Sequence, residues 1–345
     1  MDNKRIDFID IMKGIGIILV ICGHISQLNT LNTWIYSFHM PLFFFISGIT
    51  FSMSKKENFI RKKVKKILIP YFIFSILTFI YWSLIERKLR GDNTSILSQF
   101  IGIFISQGGE YNHVYNIVMW FLPCLFVTEV TFYLIRNKFS NKLIYCILAI
   151  SSILGFELSK SVNIRLPWSI DTMFIAIVFY GIGYLVSNKI LNYEKIRNKN
   201  LINFLFIFIL LTINIYCSCL NGRVDMNNGR YYNYLLYLIS AFCGIACIYL
   251  ISLYCNFKFI KFLGINSLIL MCIHEPLKRI LLKIISVTIK TDIDIIRSSL
   301  MCIIVCLLIL LACTLPIVCI VNKYLPFIIG NKCVENDNNY IREKM

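Results

Sequence analysis

The chain has 345 residues, of which 58% are hydrophobic, with a mean hydropathy of +0.72 and a formal net charge of +17. A soluble domain is about 45–50% apolar, so this composition excludes one and points to a polytopic membrane protein with little mass outside the bilayer. An excess of cations suggests nucleic acid as partner in a soluble chain, but in a membrane protein it marks the cytoplasmic side, and no nucleic-acid partner is expected.

A span needs about 20 mostly apolar residues. On that criterion the sequence predicts ten: 10–28, 34–54, 66–86, 113–135, 143–159, 171–188, 201–220, 231–255, 265–286 and 298–322. The predicted fold is therefore an all-α bundle of about ten transmembrane helices. Segment 97–106 is apolar but short, which suits an interfacial or re-entrant helix. The first fifteen residues carry acidic side chains and no cleavage pattern, so no removable signal peptide is expected. Lys4, Arg5, the stretch "KKENFIRKKVKK", Arg136, Lys138 and Lys142 fall on one set of alternate loops, and the other set is poorer in cations. This bias predicts both termini in the cytoplasm. Most of the fourteen cysteines lie in apolar runs, where they behave as small hydrophobes, and their spacing predicts neither a disulfide nor a metal site. Two regions are expected: a membrane domain over 1–330 and a polar cytoplasmic tail over 331–345.

The first span, "DIMKGIGIILVICGHISQ", contains Asp10, Lys13 and His24. From Lys13 to His24 an α-helix turns about 20° past three full turns and rises about 16 Å, so both side chains share a face. Asp10 lies on the same broad face and can pair with Lys13 at i,i+3. Asp10 and Lys13 could merely mark a helix end, but an ionisable group as deep as His24 points to a function or an internal partner. His39, in "YSFHMPLFFFISGITF", opens the second span after a loop of a few residues, so the two imidazoles can face one cavity. Histidines near neutral pKa suit proton transfer. The stretch "RKKVKKILIPYF" has two readings: topology plus attraction to anionic lipid, or a phosphate cradle for a polyanion such as coenzyme A.

The Lys-x10-His spacing of Lys13 and His24, with "FHMPLFFFISGITF", "RKKVKKILIPYF", "MWFLPCLF" and "CIHEPL", resembles the acyltransferase-3 family of integral membrane O-acyltransferases, and more narrowly its fucose 4-O-acetylase-like branch. The resemblance covers most of the chain and is densest in the first 75 residues. It implies a multi-pass enzyme of the bacterial plasma membrane that takes an acetyl group from cytoplasmic acetyl-CoA. The implied acceptor is a hydroxyl of an extracytoplasmic surface glycan or lipid-linked sugar. It also implies that His24 is the central catalytic residue, that Lys13 and His39 accompany it, and that Arg61 and its neighbours Lys62, Lys65 and Lys66 handle the donor. Lys13 stands where many relatives have Arg, which keeps the charge but loses bidentate geometry.

Hydroxyl acylation needs a base, help for the oxyanion and a stable leaving group. His24 is expected to act as general base or transient acyl carrier, His39 to orient or relay a proton, and Asp10 to hold Lys13. His274 in "CIHEPLKRI" is a further candidate, beside Pro276, which breaks helical hydrogen bonding. His113 reads as structural. Trp120, Arg165, Trp168 and Asp171 could hold a sugar on the outer side, or form an ordinary interfacial belt. No metal is expected. The alternative function is a transporter or exporter of a lipid-linked sugar or small anion with a histidine proton relay. That reading requires inverted repeats, which the sequence does not display. A third reading is a membrane sensor or partner subunit without catalysis.

Overall fold

The computed structural model describes residues 6–107, 113–160, 165–197 and 200–331. Lys4, Arg5 and positions 332–345 of the polar tail lie outside the described residues. Nine helical stretches among the described residues are long and apolar enough to cross a membrane. The main helices in chain order are α1 (Asp7–Ile25), α2 (Asn29–Tyr36), α3 (His39–Met53), α4 (Phe59–Arg90), α5 (Ile96–Ile105), α6 (Phe121–Lys138), α7 (Asn141–Lys160), α8 (Ile170–Leu191), α9 (Asn200–Asn221), α10 (Tyr234–Tyr254), α11 (Lys258–Ile265), α12 (Ser267–Ile289) and α13 (Leu300–Tyr324). The second span is α2 and α3 together, broken at Ser37 and Phe38. The ninth predicted span, 265–286, is α12, which is not among the nine stretches; its 23 residues carry Glu275, Lys278, Arg279 and Lys283. Helix α5, with ten residues, is too short to cross and packs on α4.

Polarity decides which helices are central. In hydrocarbon an ionisable side chain is costly unless protein surrounds it, and α1, α3 and α12 hold the buried Asp10, His39, His274, Glu275 and Lys278. Helices α7 and α9 carry at most two charged residues in their apolar windows and mostly face outward. Packing of α3 on α8 depends on absent side chains: a Cβ on Gly48 would lie 1.9 Å from the Tyr180 carbonyl oxygen, and one on Gly183 would lie 2.2 Å from that of Phe45. Small residues let helix backbones meet where no hydrophobic drive between helices exists.

Helix α4 is not regular. It widens into π-turns at Val64–Leu68 and Trp82–Glu86, and such bulges re-aim the side chains that follow. The Gly330 turn packs against the backbone of Lys65 and Lys66, and Lys261 of α11 pairs with Asp7 at 2.6 Å. One end of the bundle is therefore rich in cations. The opposite end carries the α1–α2 connection and the loop between α9 and α10.

Candidate active site

Helix α1 ends one residue beyond His24, which puts the imidazole at the end of the bundle opposite the basic cluster. Eleven residues earlier on the same face, Lys13 lies 3.9 Å from the buried carboxylate of Asp10. The chain then makes the half-helix α2 and breaks. His39 closes the break, with its Nδ1 2.8 Å from the Ile35 carbonyl. A carbonyl only accepts, so that nitrogen carries the proton and Nε2 is the acceptor in the neutral ring. The Tyr36 ring stands between the two histidines, with centroids 4.8 Å from His39 and 6.2 Å from His24.

Helix α12 brings the other half of the site. The His24 Nδ1 lies 3.5 Å from Glu275 Oε2, and the His24 and His274 rings are 5.4 Å apart. Lys278 donates to both Glu275 oxygens, at 2.8 and 2.9 Å, and to the His24 carbonyl at 3.2 Å. Arg297 donates to the carbonyls of Ile25 and His24. The end of α1 is thus tied by two cations, and its imidazole faces a carboxylate. Glu275 can fix the tautomer of His24 and stabilise its charged form, as a carboxylate does for a catalytic histidine. The Nδ1 of His274 is taken by the Leu270 carbonyl at 2.9 Å, and its buried Nε2 has no partner among the described residues.

Pro276 explains why this stretch can be polar. Proline has no N–H for the carbonyl four residues earlier, here that of Cys272. The fully buried Asn116 supplies the missing donor at 2.7 Å. Arg279 donates to the carbonyls of Val114 and Tyr115 and pairs with Glu86, so the 113–116 loop is stitched to α12. In that loop His113 is enclosed by Tyr71, Tyr115 and Ser106, and burial pulls its pKa down to about 3. It is a neutral structural residue, away from the cavity.

A cavity of about 650 Å³ joins the two ends, lined by Lys13, His24, His39, Glu275 and Lys278. Its volume is that of a small-molecule site. Of the four basic residues expected to grip the donor, Lys66 lines this cavity, whereas Arg61, Lys62 and Lys65 are exposed and do not. Lys63 lines it as well, pairing with the buried Glu129 at 2.8 Å. Nearby Lys56 lies 3.0 Å above the Phe51 ring; burial, then the charges of Lys63 and Arg136, lower its pKa to about 8.

Trp120 lines the cavity, but Arg165, Trp168 and Asp171 do not. Arg165 and Asp171 pair at 2.7 Å, and Arg165 donates to the Asn227 carbonyl. The Trp168 indole donates to Phe104 O. These three side chains hold loops in place. Sequence reasoning missed Glu275 and Lys278 as neighbours of His24, along with Lys63, Glu129, Arg223 and Asn227. One acidic and one basic group three apart inside an apolar run, Glu275 and Lys278, were the available signal.

The trio His24, His274 and Glu275 also brings ligand-type atoms within 4.8 Å of one another. A cation there would compete with Lys278, which already engages both carboxylate oxygens.

Comparison with known proteins bears on the family. Nodulation protein NolL of Sinorhizobium fredii (strain NBRC 101917 / NGR234) is 52% identical over 58 residues. That match covers 14% of this chain and 16% of NolL, so the chain spans about a sixth of the curated relative it matches. No solved structure matches. The profile of the acyltransferase-3 family, described as an acyltransferase domain, matches residues 6–321, nearly the whole chain. The chain belongs to the acyltransferase-3 family, and nine helical stretches among its described residues are long and apolar enough to cross a membrane.

Proposed function

We propose that this protein moves an acetyl group from acetyl-CoA to a hydroxyl of a surface glycan or lipid-linked sugar across a bacterial plasma membrane. The observation that carries the reading is the single cavity linking Lys13, Lys63 and Lys66 at one end with His24 and Glu275 at the other. The basic end is cytoplasmic, following the distribution of Lys and Arg. Coenzyme A phosphates sit against Lys63 and Lys66, which suit a polyanion as point charges. The thin pantetheine arm runs past Lys13 towards His24, a depth of about 16 Å on the helix.

The reaction needs a base at the acceptor hydroxyl. The His24 nitrogen turned away from Glu275 accepts that proton while the alkoxide oxygen attacks the thioester carbonyl. The resulting imidazolium lies 3.5 Å from Glu275, which stabilises it. Collapse of the tetrahedral intermediate breaks the C–S bond, and the coenzyme A thiolate leaves, with the proton on His24 available to it. His39, ordered by Ile35, presents an acceptor nitrogen that can orient the incoming hydroxyl, while His274, ordered by Leu270, does not line the cavity and packs beside the His24 ring.

Purified protein in detergent tests the donor side. It should bind acetyl-CoA in competition with free coenzyme A, and Lys63→Met with Lys66→Met should weaken both alike. Wild-type protein that binds neither would overturn the donor assignment.

A further inference from the structure

The loop between α9 and α10 closes the His24 end of the cavity, and its polar atoms are unsatisfied in a specific way. An antiparallel bridge between Asp225 and Arg230 shapes it, and Gly229 turns it with φ +66°. The Asp225 carboxylate accepts from the backbone N–H and side-chain amide of Asn228, at 3.1 and 2.8 Å. From outside the loop, Thr172 donates to the Met226 carbonyl at 3.0 Å and Arg165 donates to that of Asn227. The backbone of Met226 and Asn227 is therefore fixed from behind. Arg223 lies over the Tyr36 ring at 4.2 Å, which keeps the loop within one ring of both His24 and His39.

Within this frame Asn227 is 5% exposed, lines the cavity, and has neither Nδ2 nor Oδ1 partnered among the described residues. Asn32, 6% exposed, also lines the cavity; it gives its Nδ2 to the Ser26 carbonyl at 2.9 Å, and its Oδ1 is left without a partner among the described residues. That hydrogen bond fixes which end of the Asn32 amide is left free. A buried polar group without a partner costs about 1–3 kcal/mol, so these unpartnered amide atoms on cavity-lining residues are costly unless a ligand satisfies them.

The pattern identifies the ligand class. Two free carbonyl oxygens require donors, which phosphate and carboxylate groups cannot supply and an alkyl chain lacks. One free amide N–H₂ requires an acceptor. Adjacent sugar hydroxyls each donate and accept, so a glycosyl ring satisfies both requirements. We infer that Asn32 and Asn227 form the acceptor subsite, reading hydroxyls beside the one that is acylated, with Arg165, Asp171 and Thr172 as positioning residues behind the loop. The inference rests on the acyltransfer reading proposed above.

The test uses purified full-length protein, radiolabelled acetyl-CoA, and p-nitrophenyl glycosides of fucose, glucose, galactose and N-acetylglucosamine, with cyclohexanol as a single-hydroxyl control. Wild type should acetylate at least one glycoside far better than cyclohexanol. Asn227→Ala should raise the KM for that glycoside about ten- to a hundredfold and leave the KM for cyclohexanol and the affinity for acetyl-CoA unchanged. Asn227→Asp, which keeps the oxygen acceptor and loses the donor, should fall between. Thermal unfolding of each variant guards against loss of fold, and unaltered acetyl-CoA affinity confirms an intact donor half. Unchanged glycoside KM in Asn227→Ala refutes the subsite, as does a wild type that binds acetyl-CoA but acetylates no glycoside. Failure to bind acetyl-CoA at all instead defeats the underlying acyltransfer reading.

Discussion

Replacing Glu275 by glutamine keeps the shape of the side chain and removes its charge. In the wild type that charge faces the His24 Nδ1 at 3.5 Å and the Lys278 ammonium at 2.8 and 2.9 Å. At an effective dielectric of about 20, opposite charges 3.5 Å apart attract by roughly 5 kcal/mol. If Glu275 stabilises the imidazolium formed in the transition state, Glu275→Gln should lower kcat about 10³-fold. It also leaves Lys278, 7% exposed, without a counter-charge, and breaking a buried pair costs about 3–5 kcal/mol of stability. Activity and folding losses are separable. Glu275→Gln combined with Lys278→Met removes the stranded cation and should recover much of the thermal midpoint in detergent without recovering turnover. The assay is coenzyme A thiol release from acetyl-CoA, with a cell-surface glycan extract as acceptor, alongside a thermal unfolding scan. A single variant within threefold of wild-type turnover would refute the pairing, as would a double variant that restores activity along with stability.

Asn116→Ala strands the Cys272 carbonyl that Pro276 leaves free, and should lower the thermal midpoint, at a cost of about 1–3 kcal/mol. Pro276→Ala in the same chain restores a backbone donor and should recover part of that loss, whereas additive losses would contradict the assignment. Lys56, with its pKa near 8, is half neutral at that pH and becomes more nucleophilic as pH rises through it. Trace labelling with acetic anhydride, read by mass spectrometry, should give it a midpoint near 8, while an ordinary lysine titrates at about 10.4; a Lys56 profile matching ordinary lysines would contradict the desolvated setting.

The helical spacing of Lys13 and His24 was readable because 3.6-residue periodicity is local, and both line the cavity. His39 was readable from the chain length, since the first and second spans are joined by a short connection. Span positions followed from hydropathy, although the break between α2 and α3 leaves no apolar signature. Partners from distant sequence were not readable: Glu275 meets His24 across about 250 positions, and nothing local pairs them. Among the cations after α3, the chain pattern cannot say which face the cavity, because the π-turn at Val64–Leu68 sets their direction. Arg165 and Asp171 looked like sugar ligands because they are charged and near an aromatic, yet each satisfies the other. Asn32 and Asn227 gave no signal, because an uncharged amide is conspicuous only once burial removes its partners.

The central claim is that His24 carries the transfer. Release of coenzyme A thiol from acetyl-CoA should be stimulated by a glycan acceptor in the wild type and fall to background in His24→Ala, with acetyl-CoA affinity retained. Acceptor-stimulated release persisting in His24→Ala would contradict the account.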